Sequence, residues 1–139
     1  MSQDQEPRWN PISRLPMIAT AIDEMLGMAE EQYGNLQQAR DRPHVLDDDT
    51  VGRVIKVFTE QSNDLWLYEE QLARWKKDEL TATQRQEVER LDWQLTRLRE
   101  AIASILSLAK EFKSGAIESV LAKSDIELAL EVLSGKRKL

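Results

Sequence analysis

Few side chains in this sequence are of the types that most often do chemistry. The chain has no cysteine and a single histidine, His44. Thiol nucleophiles, thiolate metal sites and disulfides are therefore excluded. A carboxylate di-iron bundle is excluded as well, because it needs two Glu-x-x-His pairs on facing helices. A phosphotransfer domain presents its histidine in the middle of a helix, whereas His44 follows Pro43 in a predicted turn, so we expect a solvated or capping loop histidine.

Neighbouring carboxylates are a second source of chemistry, because a raised pKa beside an ordinary one makes an acid and a base. The candidate pairs are Glu30-Glu31, Glu69-Glu70 and Glu87-x-Glu89. Adjacent residues point in different directions around a helix, and these pairs lie among Gln, Lys and Arg, so solvated helix faces are favoured. Serine and threonine nucleophiles lack a histidine partner and a nucleophile motif. We expect no catalytic residue and therefore no enzyme.

The run from Asp47 to Asp49 is a third candidate, as a divalent cation site. Calcium loops alternate their ligands and need a glycine turn and a distal glutamate, which this run lacks. Aspartate is also a strong N-cap, and further carboxylates in a first turn are favoured by the helix dipole. The run therefore predicts the start of a helix, and we expect neither a metal nor another cofactor.

The elements that position these residues are indicated by two series of apolar residues that step by three and four, with one polar member, Gln61. This spacing keeps one stripe of an α-helix facing a partner. The second series mirrors the first, since positions 75 and 88, 65 and 98, and 51 and 112 have the same sum. The pattern predicts an antiparallel hairpin whose arms are about 45 Å long. The series are Val51, Val54, Phe58, Gln61, Leu65, Tyr68, Leu72 and Trp75, then Val88, Leu91, Leu95, Leu98, Ile102, Ile105, Ala109 and Phe112.

Helical spacing also precedes the hairpin, from Leu15 to Leu36, and Gly115 and Ser124-Asp125-x-Glu127 are helix stop and start signals after it. The predicted fold is all-α, an antiparallel bundle of three long helices at about 16–40, 48–78 and 82–113 with two short C-terminal helices at about 116–123 and 125–134. We expect a flexible tail at 1–10, one domain at 11–135 and a basic tail at 136–139. Trp9 is a large apolar group to leave in water and should have a pocket.

Gln61 is a polar residue inside an apolar stripe. Such a residue fixes register or oligomeric state; the alternative is a small-ligand pocket in the middle of the bundle.

Several aromatic and aliphatic residues lie off the stripe, where they either complete the core against helix one or meet a partner. Leu67 and Leu108 are expected to point outward. The candidate partner or dimer interface consists of Trp66, Leu67, Trp93, Leu108, Ile126, Leu130 and Leu133.

Charge limits the partners. The net charge is −6, and residues 51–139 carry fifteen basic and fifteen acidic side chains. A chain without a basic stripe is a poor nucleic-acid binder, and no apolar run is long enough to cross a membrane. The lack of cysteine and of an apolar leader favours the cytoplasm.

We expect a non-enzymatic interaction protein, an adaptor, chaperone-like protein or homodimeric module. The alternative is a small-molecule or metal-binding bundle with its pocket near Gln61.

Overall fold

The computed structural model describes residues 8–42 and 46–134, with side chains as far as Lys113. A 3-10 turn at Ile12–Arg14 leads into helix α1, Leu15–Ala39, followed by α2, Asp48–Lys76, and α3, Ala82–Ser134. The described residues contain no strand, so the predicted all-α class is confirmed for them. The predictions for His44 and for the basic tail lie outside the described residues.

Local sequence signals set the starts of α2 and α3. The Asp47 carboxylate accepts a hydrogen bond from the Thr50 backbone N–H at 2.7 Å, and this bond holds the pKa of Asp47 below its ordinary value. Thr81 and Gln84 form a reciprocal capping box, with bonds of 2.9 and 3.0 Å. Both pairs satisfy backbone donors that a first helical turn leaves without partners. The predicted capping role of the aspartate run is confirmed at Asp47.

The core is the predicted stripe, extended by the buried face of α1. Trp75, Leu72 and Leu91 are almost completely buried, and Tyr68 and Phe112 pack at the edge of the cluster. Helix α3 packs against both other helices, whereas close approaches between α1 and α2 are few. Helix α3 is therefore the central element of the bundle.

Ion pairs give the direction of each helix. Asp23 and Glu30 of α1 pair with Arg90 and Arg97 of α3, and both pairs span 67 residues. A constant separation means that α1 and α3 run parallel. Residues 76 and 69 of α2 pair with 92 and 99 of α3, so these two helices run antiparallel, as predicted.

The predicted pair of short C-terminal helices is not supported, because α3 continues as one helix to Ser134. Gly115 and Ser124 both lie inside it. A glycine in a helix interior costs only about 1 kcal/mol relative to alanine, so it permits a helix end without forcing one. A capping sequence likewise acts only where the chain leaves the helix.

Candidate interaction surfaces

The N-terminal segment, residues 8–11, lies on α2, although most of it belongs to the predicted flexible tail. Its anchor is Gln71, which is only 3% exposed. The Asn10 backbone N–H donates to Gln71 Oε1 at 2.6 Å, and Gln71 Nε2 donates to the Asn10 carbonyl at 3.3 Å. The Trp75 indole N–H donates to the same carbonyl at 2.9 Å. Two buried side chains of α2 therefore satisfy the main chain of one residue.

The Trp9 ring occupies the outer side of the same region of α2. It meets the Trp66 ring edge to face, with centroids 6.3 Å apart. The Arg74 guanidinium lies 4.4 Å from its centroid, and Glu70 pairs with Arg74 at 3.2 Å. Edge-to-face and cation-π contacts of this kind stabilise exposed aromatic side chains by about 1 kcal/mol each. This aromatic and cationic cradle is the pocket that Trp9 was expected to have.

A cavity of about 230 Å³ lies beside this contact, between the N-terminal segment, α1 and α2. Ile18 of α1 and Leu67 and Tyr68 of α2 line it together with Arg8, Trp9, Asn10 and Gln71. Leu67, which was expected to point outward, is half-buried here. A cavity this small, with one residue's main chain already seated at its edge, suits an extended peptide better than a large organic ligand.

The segment is fixed at its other end by the turn that starts α1. The Arg14 backbone N–H donates to the Pro11 carbonyl at 2.9 Å, which closes the 3-10 turn. Proline presets its own φ angle for such a turn, and Pro16 lies in the first turn of α1, where its missing N–H is not needed. Pro11 itself has an extended backbone, and it connects this turn to Asn10 on Gln71.

Arginines bind four of the six glutamates that had been considered as acid and base pairs. The Arg90 guanidinium donates to Asp23 at 3.0 and 2.9 Å and to Glu87 at 2.8 Å. These bonds lower the pKa of Asp23 and of Glu87 and raise that of Arg90. A general acid needs a raised carboxyl pKa, so the shifts run against an acid and base role. Arginine also pairs with three of the other candidates, Glu30, Glu69 and Glu70.

The predicted interface residues differ in exposure. Trp66 is 52% and Trp93 66% exposed, so neither belongs to the core. Leu108 is only 4% exposed and packs in the core cluster, so the outward orientation predicted for it is wrong. The prediction considered only the α2 side of α3, and the parallel α1 packs on the other. The side chains of Ile126, Leu130 and Leu133 lie outside the described part. As an interface, the set stays a prediction.

Gln61 keeps its predicted place in the stripe. Its Oε1 is buried and has no hydrogen-bond partner. An unpaired buried polar atom destabilises the fold, which agrees with the cost expected of a register residue. Two further cavities are lined by other residues: one of about 280 Å³ by Tyr33 and Arg40 among others, and one of about 710 Å³ by Ile12 and Thr83 among others.

Other kinds of site find no support in the described residues. No group of three or more carboxylate or histidine side chains there could hold a metal ion. None of the described helices combines the length and the apolarity that crossing a membrane requires. What the described residues do contain is a set of exposed apolar side chains, Met17, Met28, Val57, Trp66 and Trp93.

Comparisons with protein-family models, with curated proteins and with solved structures find no match to this chain. Its class is therefore given by the fold alone, an all-helical bundle.

Proposed function

We propose that this chain is a non-enzymatic interaction module that binds a protein partner, or a second copy of itself, through apolar helix faces. Such a module would act as an adaptor, a chaperone-like protein or a homodimeric assembly unit. The observation that carries the proposal is the length of α3, which has 53 residues where α1 has 25 and α2 has 29.

The register of the bundle locates the surplus length. The ion pair between Arg40 and Glu111 lies one residue past the end of α1, so α1 has no helical residue level with α3 beyond this point. The mirror pairing with α2 places Asp48, the first residue of that helix, opposite position 115 of α3. The C-terminal extension, residues 114–134, therefore continues for about 30 Å past both neighbours.

The sequence of the C-terminal extension is unsuited to standing alone in water. Its apolar residues are Ala116, Ile117, Val120, Leu121, Ala122, Ile126, Leu128, Ala129, Leu130, Val132 and Leu133. In one continuous helix these positions cover most of the circumference, and an apolar helical surface of this size normally contacts protein. A short helix also derives most of its stability from such packing. The extension is therefore the surface on which we place the partner.

The described bundle supports an interaction role in two further ways. At least one glutamate of each candidate acid and base pair is bound by arginine. Trp66 and Trp93 leave large aromatic surfaces in water, and tryptophan is enriched in the energetically dominant parts of interfaces. The absence of cysteine suits a reducing compartment, so we propose a cytoplasmic location.

Shortening the chain tests the proposal. A chain ending at Lys113 retains every buried core residue from Leu15 to Ala109, so it should keep its helical circular dichroism and its cooperative melting. The full chain should self-associate in sedimentation velocity, or retain one dominant protein from host lysate at near-equal stoichiometry. The shortened chain should do neither. If it assembles and binds as the full chain does, the C-terminal extension is not the binding surface.

Point variants separate the apolar face from the length of the helix. Ile126, Leu130 and Leu133 are spaced by four and three residues, which places them on one face of a helix. Replacing all three with glutamine should weaken association at least tenfold. Replacing Glu127 and Glu131 with glutamine is the matched control, because it changes the same turns and leaves the apolar face intact. Equal effects of the two sets would contradict the assignment.

A small-molecule site near Gln61 is the second candidate, favoured by the buried, unpaired Oε1. A ligand that binds only the folded state raises the free energy of unfolding by about 2.7 kcal/mol at 100 times its dissociation constant. A melting screen with metals, nucleotides and lipids detects a shift of that size. An unmoved melting temperature across the screen would rule against this candidate.

A further inference from the structure

We propose that the Asn10 site on α2, formed by Gln71, Trp75, Trp66 and Arg74, is an exchangeable peptide site. Its occupant in trans is the N-terminal segment, residues 8–11, of a second copy of this chain. The site lies on the bundle itself and does not depend on the C-terminal extension, so this inference stands or falls independently of the proposed function.

Gln71 and Trp75 bind the main chain of a peptide. Gln71 is a buried polar side chain, and its amide accepts from the Asn10 N–H and donates to the Asn10 carbonyl. This is the pairing that one peptide group offers another in a β-ladder. The Trp75 indole adds a second donor to the carbonyl. The site therefore recognises a main chain, which any extended peptide presents, as in strand-addition modes of peptide binding.

The side-chain part of the site supplies selectivity. The Arg74 guanidinium lies over the face of the Trp9 ring. The Trp66 ring contacts the Trp9 ring edge to face. The Asn10 amide Nδ2 donates to Gln71 Oε1 at 3.2 Å, which adds a preference at the second position. The preferred ligand is thus a tryptophan followed by an asparagine whose backbone N–H and carbonyl are free. Residues 9 and 10 of this chain have that chemistry.

The N-terminal segment is only partly buried on the bundle. Arg8 and Pro11 are exposed, and Trp9 and Asn10 are only half-buried. The helix-to-helix core from Leu15 to Ala109 contains none of these residues. The segment can therefore detach while the bundle stays folded, as weakly buried segments outside a core commonly do.

Detachment of the segment removes the hydrogen-bond partners of Gln71 and Trp75. A second peptide that restores these hydrogen bonds to the Gln71 amide and the Trp75 N–H re-forms the contact. The peptide whose fit the structure establishes is the same segment of another copy. Pro11 and the 3-10 turn provide the hinge, and the exposed side chains of Trp66 and Met17 provide apolar surface beside it. Exchange of an identical element between copies is an inexpensive route to a dimer.

A complementation experiment tests the exchange with full-length chains. The acceptor carries Trp9→Ala and Asn10→Pro, which remove the ring and the N–H from its own segment and leave α2 intact. The donor carries Gln71→Leu, which disables its site and leaves its segment free. Mixing donor and acceptor should give a heterodimer by sedimentation velocity, at least about tenfold tighter than either variant alone.

The control mixture combines the acceptor with a variant carrying all three substitutions, which has no competent segment. Any association through the C-terminal extension appears equally in both mixtures, so its loss or presence leaves the comparison unchanged. A synthetic peptide of residues 8–14 should dissociate the heterodimer, and the same peptide with Trp9→Ala should not. Equal association in the two mixtures, or no effect of the peptide, would overturn the proposal.

A measurement on the unsubstituted chain covers the case in which a variant fails to fold. The Asn10 amide is hydrogen bonded to Gln71 in the closed state, so its hydrogen exchange reports the occupancy of the site by its own segment. Excess peptide of residues 8–14 should accelerate exchange at Asn10 severalfold and leave exchange at Leu91 unchanged. Unaltered exchange at Asn10 would show that the site does not accept a peptide in trans.

Discussion

The side-chain amide of Gln71 pairs with the main chain of Asn10, 61 residues earlier, through one bond to its N–H and one to its carbonyl. A residue in the last third of α2 thereby fixes the chain just before α1 begins. Trp75, one helical turn further on, shares the carbonyl. The entry of α1 into the bundle is thus set by α2, although the two helices make few close approaches of their own.

Gln71→Leu should lower the free energy of unfolding by about 1–2 kcal/mol, because both hydrogen bonds between the Gln71 amide and the Asn10 main chain are lost. Urea titration followed by circular dichroism measures the loss. The exposed fraction of the Trp9 ring should rise as well, which quenching of tryptophan fluorescence detects. Unchanged stability and unchanged quenching would mean that the hydrogen bonds to Asn10 do not stabilise the N-terminal segment on α2.

Gln61→Leu is the same substitution on the same helix, and the opposite result is expected. Gln61 Oε1 is buried without a partner, so its removal relieves a desolvation penalty. The free energy of unfolding should stay the same or rise by about 1 kcal/mol. Urea titration beside Gln71→Leu gives a matched comparison. A loss of stability would indicate that Oε1 is bound in solution and would favour the ligand site as the role of Gln61.

Acid should weaken the contact between α1 and α3. Arg90 holds the pKa of Asp23 and of Glu87 below the ordinary values of 3.8 and 4.5. A carboxyl whose pKa is lower in the folded state stabilises the fold above its unfolded pKa, and this stabilisation is lost as the pH falls through the folded value. Arg90→Met should therefore flatten the fall in unfolding free energy below about pH 5.

The size of that effect is limited by solvent, because the side chains of Arg90 and Asp23 are about 40% exposed. Screening keeps such a network near 1 kcal/mol or less. Arg85→Met, at an exposed position of the same helix, is the control and should leave the acid limb unchanged. Parallel acid profiles for the original chain and Arg90→Met would contradict the assignment.

Periodicity and caps were predictable because they depend on nearby residues. The stripe from Val51 to Trp75 forms one face of a helix whatever it packs against, and Asp47 caps through Thr50, three residues away. The mirrored spacing then required an antiparallel hairpin. These features needed no knowledge of the rest of the fold.

The missed features depend on distant parts of the chain. In the sequence Gln71 resembles any other polar residue of a helix. Its partner is the main chain of a residue 61 positions away, and a main-chain partner cannot be inferred from residue types. Its spacing of four from Trp75 was the one available signal. Leu108 was expected to point outward because the prediction considered only the packing of α3 against α2. The continuation of α3 past Gly115 was missed because stop signals permit a helix end without requiring it.

Gly27→Ala should stabilise the bundle. A Cβ at this position would meet no atom within 4 Å, and the residue lies in the interior of α1 with helical neighbours on both sides. Alanine restricts the unfolded chain and favours the helix, so the unfolding free energy should rise by about 0.5–1 kcal/mol. Thermal melting measures it, with Gly34→Ala as a second position of the same kind. A lower melting temperature for both would indicate that α1 needs these glycines for a bend.

Trp93→Gln should separate binding from stability on α3. Trp93 lies about 160° around the helix from the buried Leu91 and is 66% exposed, so its loss should change the unfolding free energy by no more than about 0.5 kcal/mol. Leu108→Ala is the contrasting variant, because deleting a buried leucine side chain costs about 2–5 kcal/mol. If the outer face of α3 contacts the partner, Trp93→Gln weakens association at an unchanged melting temperature, whereas Leu108→Ala lowers the melting temperature. A Trp93→Gln chain that melts early would place this ring in the fold, and one that melts and associates normally would leave the C-terminal extension to bind without it.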